Sequence, residues 1–262
     1  MHRLNVALTG LLFTLATPAL ARSSIDGTWK ADTTTAKLST KPDIFVIKDG
    51  MYDCSSCAPP YKIAADGKVH PVAGRDYWDA GSVALIDPAT LQWTRYRKGV
   101  SISSTKVAVS PDGNTLTFTS VSADNALGKS IASSSLAKRV GPAPAGAHAT
   151  SGSWVGINEG AQIAEENLVA TISMVDDVVT MTLGTGEHYA AKLDGPQTPF
   201  VGDKAGAMVA LKRAGTGFVE TDYVNGTAIG TYTYIPQDET TMTMKAFNMK
   251  AGTTEEYTLK KQ

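Results

Sequence analysis

Gly27-Thr28-Trp29 and Gly152-Ser153-Trp154 are the two stretches that decide the fold, because the second repeats the first 125 residues later. Three further pairs of landmarks follow in the same order, 125 to 128 residues apart: Asp66-Gly67 with Asp194-Gly195, Val83-Ala84-Leu85 with Val209-Ala210-Leu211, and Ser110-Pro111-Asp112 with Ile235-Pro236-Gln237. Shared order and near-constant spacing predict a tandem duplication with small loop insertions, built from a unit of roughly 115 residues. A duplication also argues against one catalytic constellation spread over the whole chain.

Apolar and polar residues alternate with a period of two in many short segments. Val179-Thr180-Met181-Thr182-Leu183 is one example, and Thr115–Thr119 and Met242–Ala246 are others. Such alternation is typical of a half-buried strand. Asp-Gly and Asn-Gly pairs separate the segments, as at Asp49-Gly50 and Asn225-Gly226, and favour tight hairpin turns. We therefore predict an all-β protein of two tandem antiparallel up-and-down barrels or strongly curved sheets, with roughly eight strands per half.

The same pattern divides the chain into four parts. Residues 1–21 are expected to be a signal peptide, 22–140 the first barrel repeat, 141–151 a Pro/Gly/Ala-rich linker, and 152–262 the second barrel repeat. Whether the halves form two barrels or one pair of packed sheets stays open at this point. Helix is expected only around Glu159 to Leu168, for a turn or two.

The first 21 residues indicate an exported protein. A short basic start, the apolar run Leu4–Ala16 and the ending Pro18-Ala19-Leu20-Ala21 form the layout of a signal peptide cleaved after Ala21. We therefore expect a periplasmic or secreted protein without an integral membrane span. The balance of 24 basic against 25 acidic residues, without a basic block, excludes a nucleic-acid footprint.

The openings of the two halves resemble those of the lipocalin and fatty-acid-binding (calycin) proteins. In that family the Trp of a Gly-x-Trp first strand plugs one end of the barrel beneath a basic residue from the end of the domain. The resemblance implies that role for Trp29 and Trp154, with Lys138-Arg139 and Lys260-Lys261 as the basic residues. Thr221-Asp222-Tyr223 is similar to the second lipocalin motif, and Thr94-Arg95-Tyr96 is its degraded counterpart.

Over its full length the chain also resembles exported, duplicated bacterial proteins of no assigned activity. The shared features are the two Trp openings, the Asp-Cys-x-x-Cys-x-Pro-Pro-Tyr segment at 53–61 and the Lys-Leu-Asp-Gly segment at 192–195.

Cys54 and Cys57 are the only cysteines. In an oxidising compartment we expect a structural disulfide that closes a tight loop before Pro59-Pro60. Two alternatives are a thiol-redox pair, which favours a helix N-terminus beside a βαβ unit, and a zinc site, which requires two further ligands. His70, His148 and His188 are scattered, so no metal site and no cofactor is expected.

The chain lacks recognisable catalytic motifs. No Gly-x-Ser-x-Gly elbow occurs, and the acidic pairs are sequence neighbours whose side chains point to opposite faces of a strand. Ala123–Ser130 resembles the end of a phosphate-binding loop, but no helical pattern follows it, and we interpret it as a hairpin loop. No catalytic residue is assigned, and an enzyme is the less favoured class.

Aromatic residues on predicted strands are the best candidates for a ligand site. Beside Arg95 they would line a pocket for an amphipathic or anionic molecule; otherwise they fill the core, as side chains do in small barrels. The candidate ligand-binding set is Trp78, Trp93, Arg95, Tyr96, Tyr232 and Tyr234. The first half, which has the cysteines and more strand aromatics, is the expected active copy.

The sequence leaves three candidate functions. The first is an exported, non-enzymatic binding or carrier protein for a small apolar or amphipathic ligand. The second is an envelope module with solid barrels that binds another protein. The third is a thiol-redox protein that uses Cys54 and Cys57. A lumen of several hundred Å³ would favour the first over the second.

Overall fold

The computed structural model describes residues 25–262; the predicted signal peptide lies outside this range. The described chain forms two ten-stranded antiparallel sheets, each nearly closed into a barrel, which confirms the predicted all-β fold. The predicted helical turn is a single 3₁₀ turn at Glu165–Asn167. Each sheet has ten strands rather than the roughly eight expected, because two-residue strands next to the turns extend each meander.

The first barrel is a continuous meander in which each strand pairs with the next along the chain, apart from β4 and β5. The order is β4-β3-β2-β11-β10-β9-β8-β7-β6-β5. Its strands are β2 (Asp43–Lys48), β3 (Met51–Cys54), β4 (Tyr61–Ala64), β5 (His70–Pro71), β6 (Ala80–Asp87), β7 (Thr90–Arg97), β8 (Val100–Val109), β9 (Thr115–Ser122), β10 (Ile131–Arg139) and β11 (Gly152–Gln162).

The second barrel repeats this arrangement with one strand taken from the start of the chain. The order is β14-β13-β12-β1-β20-β19-β18-β17-β16-β15. Its strands are β1 (Gly27–Lys37), β12 (Val169–Val175), β13 (Val178–Leu183), β14 (His188–Lys192), β15 (Thr198–Pro199), β16 (Met208–Ala214), β17 (Gly217–Val224), β18 (Thr227–Pro236), β19 (Thr241–Asn248) and β20 (Thr253–Lys261).

The two sequence repeats thus exchange their opening strands. β1 pairs with β12 and β20, whereas β11 pairs with β2 and β10. The first barrel is therefore contiguous, from residue 43 to 162, and is inserted between β1 and the rest of the second barrel. The sheets do not follow the boundaries 22–140 and 152–262 expected from the repeat. The segment 141–151, expected to join two barrels, connects neighbouring strands of one sheet.

Each barrel is brought close to closure by its repeated Asp-Gly segment. In the first barrel the Gly67 amide donates to the Val83 carbonyl at 2.8 Å, and in the second the Asp194 amide donates to Leu211 at 2.8 Å. These bonds link the segment after edge strand β4 to β6, and the segment after edge strand β14 to β16, and lower the number of unpaired edge groups. The sequence landmarks that revealed the duplication therefore mark the seam of each barrel.

Each opening Trp is fully buried in the core of its barrel. The indole N–H of Trp29 donates to the Ile25 carbonyl at 2.8 Å, and that of Trp154 donates to Thr150 at 3.0 Å. Lys261 lies over the Trp29 ring and Arg139 over the Trp154 ring, at 5.0 and 4.1 Å from the ring centroids. The basic residue thus covers the Trp of its own barrel.

The glycine of each Gly-x-Trp is required by this arrangement. Gly27 and Gly152 have φ of 144° and 147°, and a Cβ there would collide with the side chains of Lys261 and Arg139. A side chain at either position would therefore displace the cation from the indole.

Candidate binding site between the two barrels

A cavity of about 950 Å³ lies between the two barrels and is lined by residues from both. The first barrel contributes Trp78 and Arg95, and the second contributes Tyr232, Met244 and Tyr257. The volume is within the usual range of small-molecule sites. The walls of this cavity come from both sheets, so the residues of the first half line it together with those of the second.

Arg95 lies inside the first barrel on an aromatic frame. β6 and β7 pair so that Gly81 opposes Arg95, and a Cβ at Gly81 would lie 3.4 Å from the ring of Trp78. The guanidinium carbon is 4.3 Å from the centroid of Trp93 and 5.6 Å from that of Trp78. Within residues 25–262 its guanidinium has no ion pair and no hydrogen bond, and burial lowers the pKa of Arg95. An arginine stays protonated even so, and this half-buried cation is only partly solvated and has no counter-ion among the described residues.

Arg75 places a second guanidinium beside the first. It lies 4.7 Å from the ring centroid of Tyr61 and 5.2 Å from that of Trp78. It donates to the carbonyls of Ala58, at 3.0 Å, and Pro59. Its buried Nε has no hydrogen-bond partner in the described part of the chain.

The disulfide between Cys54 and Cys57 therefore has a structural connection to the site. It closes the turn 54–57 directly before Ala58 and Pro59, whose carbonyls accept from Arg75, and Cys57 itself lines the cavity. The predicted disulfide is confirmed, whereas the redox alternative is not tested.

The segment 72–79 connects the site to the second barrel. Asp76 forms an ion pair with Lys250 at 2.7 Å, and the Tyr77 carbonyl accepts a bond from Arg97 at 3.1 Å. The pKa of Tyr77 is raised above its usual range by burial and by the nearby carboxylates of Asp203 and Asp222. Tyr77, a first-barrel residue, therefore lies close to the carboxylates of the second barrel.

Two carboxyl groups are buried inside the second barrel. Glu220 and Asp222 alternate on β17 and are 3% and 7% exposed. The hydroxyl of Tyr189 donates to Glu220 at 2.6 Å, whereas Oδ1 of Asp222 has no partner within residues 25–262. Burial raises both pKa values, that of Asp222 to about 6. No Lys, Arg or His of the described chain forms an ion pair with either carboxyl.

Three carboxyl groups line the cavity itself. Asp43 extends from β2, Glu255 from β20, and Asp76 lies in the segment 72–79. Burial, followed by the charge of Glu255, raises the pKa of Asp43. The hydroxyl of Tyr257 donates to Glu255 at 2.5 Å. Arg75, Arg95 and Lys250 line the cavity as well, so its walls carry charges of both signs.

The structure distributes the six predicted ligand residues unevenly. Trp78, Arg95 and Tyr232 line the cavity, and Trp93 supports Arg95 from behind. Tyr234 is 7% exposed and packs on Phe218 with 4.9 Å between centroids. Tyr96 is half-buried and is not part of the lining.

Sequence reasoning missed Arg75, Glu220, Asp222 and Glu255. Alternation along β17 does place Glu220 and Asp222 on the face of Phe218, and that pattern was the available signal. Arg75 lies in a loop, where no periodicity indicates the direction of a side chain.

The phosphate-loop-like segment, the possible metal ligands and the possible membrane spans were also considered in the sequence, and the structure bears on each of them. The phosphate-loop-like segment 123–130 is the hairpin between β9 and β10, and its Ala126 amide donates to Glu187 of the second barrel at 2.8 Å. In the described part of the chain no group of three or more His, Cys, Asp or Glu residues is arranged to hold a metal ion. Among residues 25–262 no helix is long and apolar enough to cross a membrane.

Comparisons with known proteins add no family. A scan against protein-family models finds no match, and searches of curated proteins and of solved structures find no significantly similar protein. The lipocalin-like interpretation therefore rests on the barrels and on the Trp–cation arrangement alone.

Proposed function

We propose that the chain is an exported binding or carrier protein for a small amphipathic molecule with an anionic group, held in the cavity between the barrels. The observation that carries the proposal is Arg95, a half-buried cation on two indole rings with no acceptor in the described chain. A bound anion would supply the missing counter-charge. Tyr232, Met244 and Ile229 would then contact the apolar part of the ligand.

Two more buried donors near Arg95 support an acceptor at this place. Nε of Arg75 and Nε1 of Trp93 have no partners in the described chain. Buried donors without acceptors are costly, at about 1–3 kcal/mol each. An oxyanion held by Arg95 would bring acceptor oxygens into their neighbourhood.

The cavity volume supports a carrier. The expected mark of a binding protein was a lumen inside a barrel; the cavity of about 950 Å³ lies instead between the barrels, each of which is packed with its own core, and its size is within the range of small-molecule sites. An adaptor that binds protein through its edges or loops would have no use for a half-buried arginine facing this space.

Calorimetric titration with dodecanoate tests the proposal. We expect saturable one-to-one binding to the wild-type protein, weakened about tenfold or more in Arg95→Met, because a hydrogen bond to a charged group is worth about 1.5–3 kcal/mol. Arg213→Met is the matched control: Arg213 is half-exposed and pairs with Asp177 and Asp194 on the surface of the second barrel. If the protein binds neither dodecanoate nor neutral dodecanol, the carrier function is rejected.

A further inference from the structure

The second barrel contains a feature that anion binding leaves unused. Asp222 is buried, its Oδ1 has no partner within residues 25–262, and no basic side chain of the described chain forms an ion pair with it. Its neighbour Glu220 shares a hydrogen bond with it. Buried carboxylates are ordinarily paired with a cation or held neutral. When Asp222 is ionised, its charge therefore has no cation partner in the described chain.

The register brings Asp222 next to the cavity wall, although Asp222 itself is not one of the lining residues. On the paired strands β17 and β18 it lies opposite Gly230, and Gly230 is part of the wall. A glycine has no side chain to cover the carboxylate, so the cavity comes close to Asp222 at this point. Glu220, two residues earlier on β17, is opposed by Tyr232, whose ring covers that position.

The surroundings of Asp222 suit an organic cation better than a metal ion. Tyr77 and Tyr232 are within electrostatic range of the carboxylate, and Glu255 lines the same end of the cavity. Aromatic faces together with a desolvated carboxylate attract ammonium groups. A metal site would need at least three ligating groups, and the described residues do not provide such a set.

We infer that the ligand is dipolar, with an anionic group at Arg95 of the first barrel and an ammonium group at Asp222 of the second. This inference rests on the proposed function, because it assigns the two ends of the same ligand. It explains why the cavity is shared, since each barrel supplies one charge. Residues near the middle, such as Met244 and Ile229, would contact the chain between the charged groups.

The test compares alkyl ligands that differ in their terminal charged groups. Dodecanoate has only the anionic group, dodecylamine has only the ammonium group, and 12-aminododecanoate has both. The shorter 6-aminohexanoate and 8-aminooctanoate report the distance between the anion site and the ammonium site. In calorimetry at pH 7.5 we expect the best-fitting amino acid to bind about tenfold or more tightly than the unsubstituted acid of equal length. An ammonium group buried without a partner would instead weaken binding.

Asp222→Asn separates the ammonium contact from the rest of the site. We expect this variant to lose the preference for the amino acid while retaining dodecanoate binding. The substitution keeps the shape and removes a buried charge, so it should fold. Asp194→Asn, an exposed carboxylate paired with Arg213 on the same barrel, should keep the preference.

The outcomes distinguish the two proposals. If dodecanoate binds but no amino acid binds more tightly, or if Asp222→Asn leaves the preference intact, the dipolar ligand is rejected and the anion carrier stands. Binding of calcium in place of the ammonium probes would also overturn the inference. If no probe binds at all, the proposed function fails together with it.

Discussion

At the scale of the residue, the most unusual groups are charges inside barrels without a partner of opposite sign. Arg95 is half-buried in the first barrel and Asp222 is buried in the second, and within residues 25–262 neither has an ion pair. Elsewhere the chain pairs its charges in the usual way, as with Asp76 and Lys250. Exceptions of this kind cluster at functional sites.

Asp222→Asn should change how stability depends on pH. The folded pKa of Asp222 is about 6, above its unfolded value of 3.8, so the folded state binds more protons between these values. The wild type therefore loses folding stability as pH rises from the unfolded pKa to the folded pKa of Asp222, and it does not regain this stability at higher pH. Asparagine does not titrate, so the variant does not show this loss.

Thermal unfolding from pH 4 to pH 7.5 checks this expectation. The stability of the variant relative to the wild type should rise by about 2 kcal/mol between these pH values, since one pKa unit corresponds to about 1.4 kcal/mol. The charge of Asp222 also raises the pKa of Glu220, so the difference includes the change at Glu220. A difference that does not change with pH would show that the effect is not ionisation.

The two Trp–cation pairs offer a natural comparison at the same scale. Arg139 donates to the carbonyls of Gly113, Ser151 and Ala149 at 2.6, 2.7 and 2.9 Å, in addition to covering Trp154. Arg139→Met should cost about 1–3 kcal/mol, because three acceptors lose a charged donor. Lys261→Met should cost less, about 0.5–1 kcal/mol, since its main contact is the ring of Trp29. Urea unfolding of both variants measures the order, and the reverse order would contradict this account.

At the scale of the element, most strands and turns were predictable because their signals are local. Alternation identified β13, β9 and β19, and positive φ angles occur at both residues of the predicted Asp49-Gly50 and Asn225-Gly226 turns. The exchange of β1 and β11 was not predictable. Both strands begin with Gly-x-Trp, so the sequence pattern of either strand fits either barrel.

The exchange predicts which fragment is a folding unit. Residues 40–164 contain all ten strands of the first barrel, whereas 22–140 lacks β11 and can close only by pairing β1 with β2 and β10. We expect 40–164 to give a dispersed NMR spectrum and the higher midpoint in urea. If 22–140 is at least as stable, the exchanged pairing is wrong.

The disulfide belongs to the same scale because it fixes one loop. Replacing Cys54 and Cys57 by serine should cost about 2 kcal/mol, the value for closing so short a loop in the chain-entropy model. It should also weaken dodecanoate binding, because the loop carbonyls position Arg75. Differential scanning calorimetry and titration measure the two effects. Catalysis of insulin reduction by the wild type, lost in the variant, would instead favour the thiol-redox function.

At the scale of the whole molecule, the site is a product of the duplication. Neither barrel alone encloses the cavity, and the two charges come from different barrels. Trp78, Arg95 and Tyr232 were predictable as pocket residues because strand aromatics beside a cation are a local signal. Their meeting in one shared cavity was not predictable, since it depends on how the barrels face each other.

Native mass spectrometry of the mature protein, purified gently from its own compartment, is the most direct test of whether the protein carries a ligand. We expect a stoichiometric extra mass that disappears on denaturation, together with a polypeptide two hydrogens lighter than the reduced chain. Arg95→Met, purified in parallel, should retain much less of the extra mass. A bare wild-type polypeptide that takes up neither dodecanoate nor 12-aminododecanoate would contradict a carrier and favour a protein-binding module.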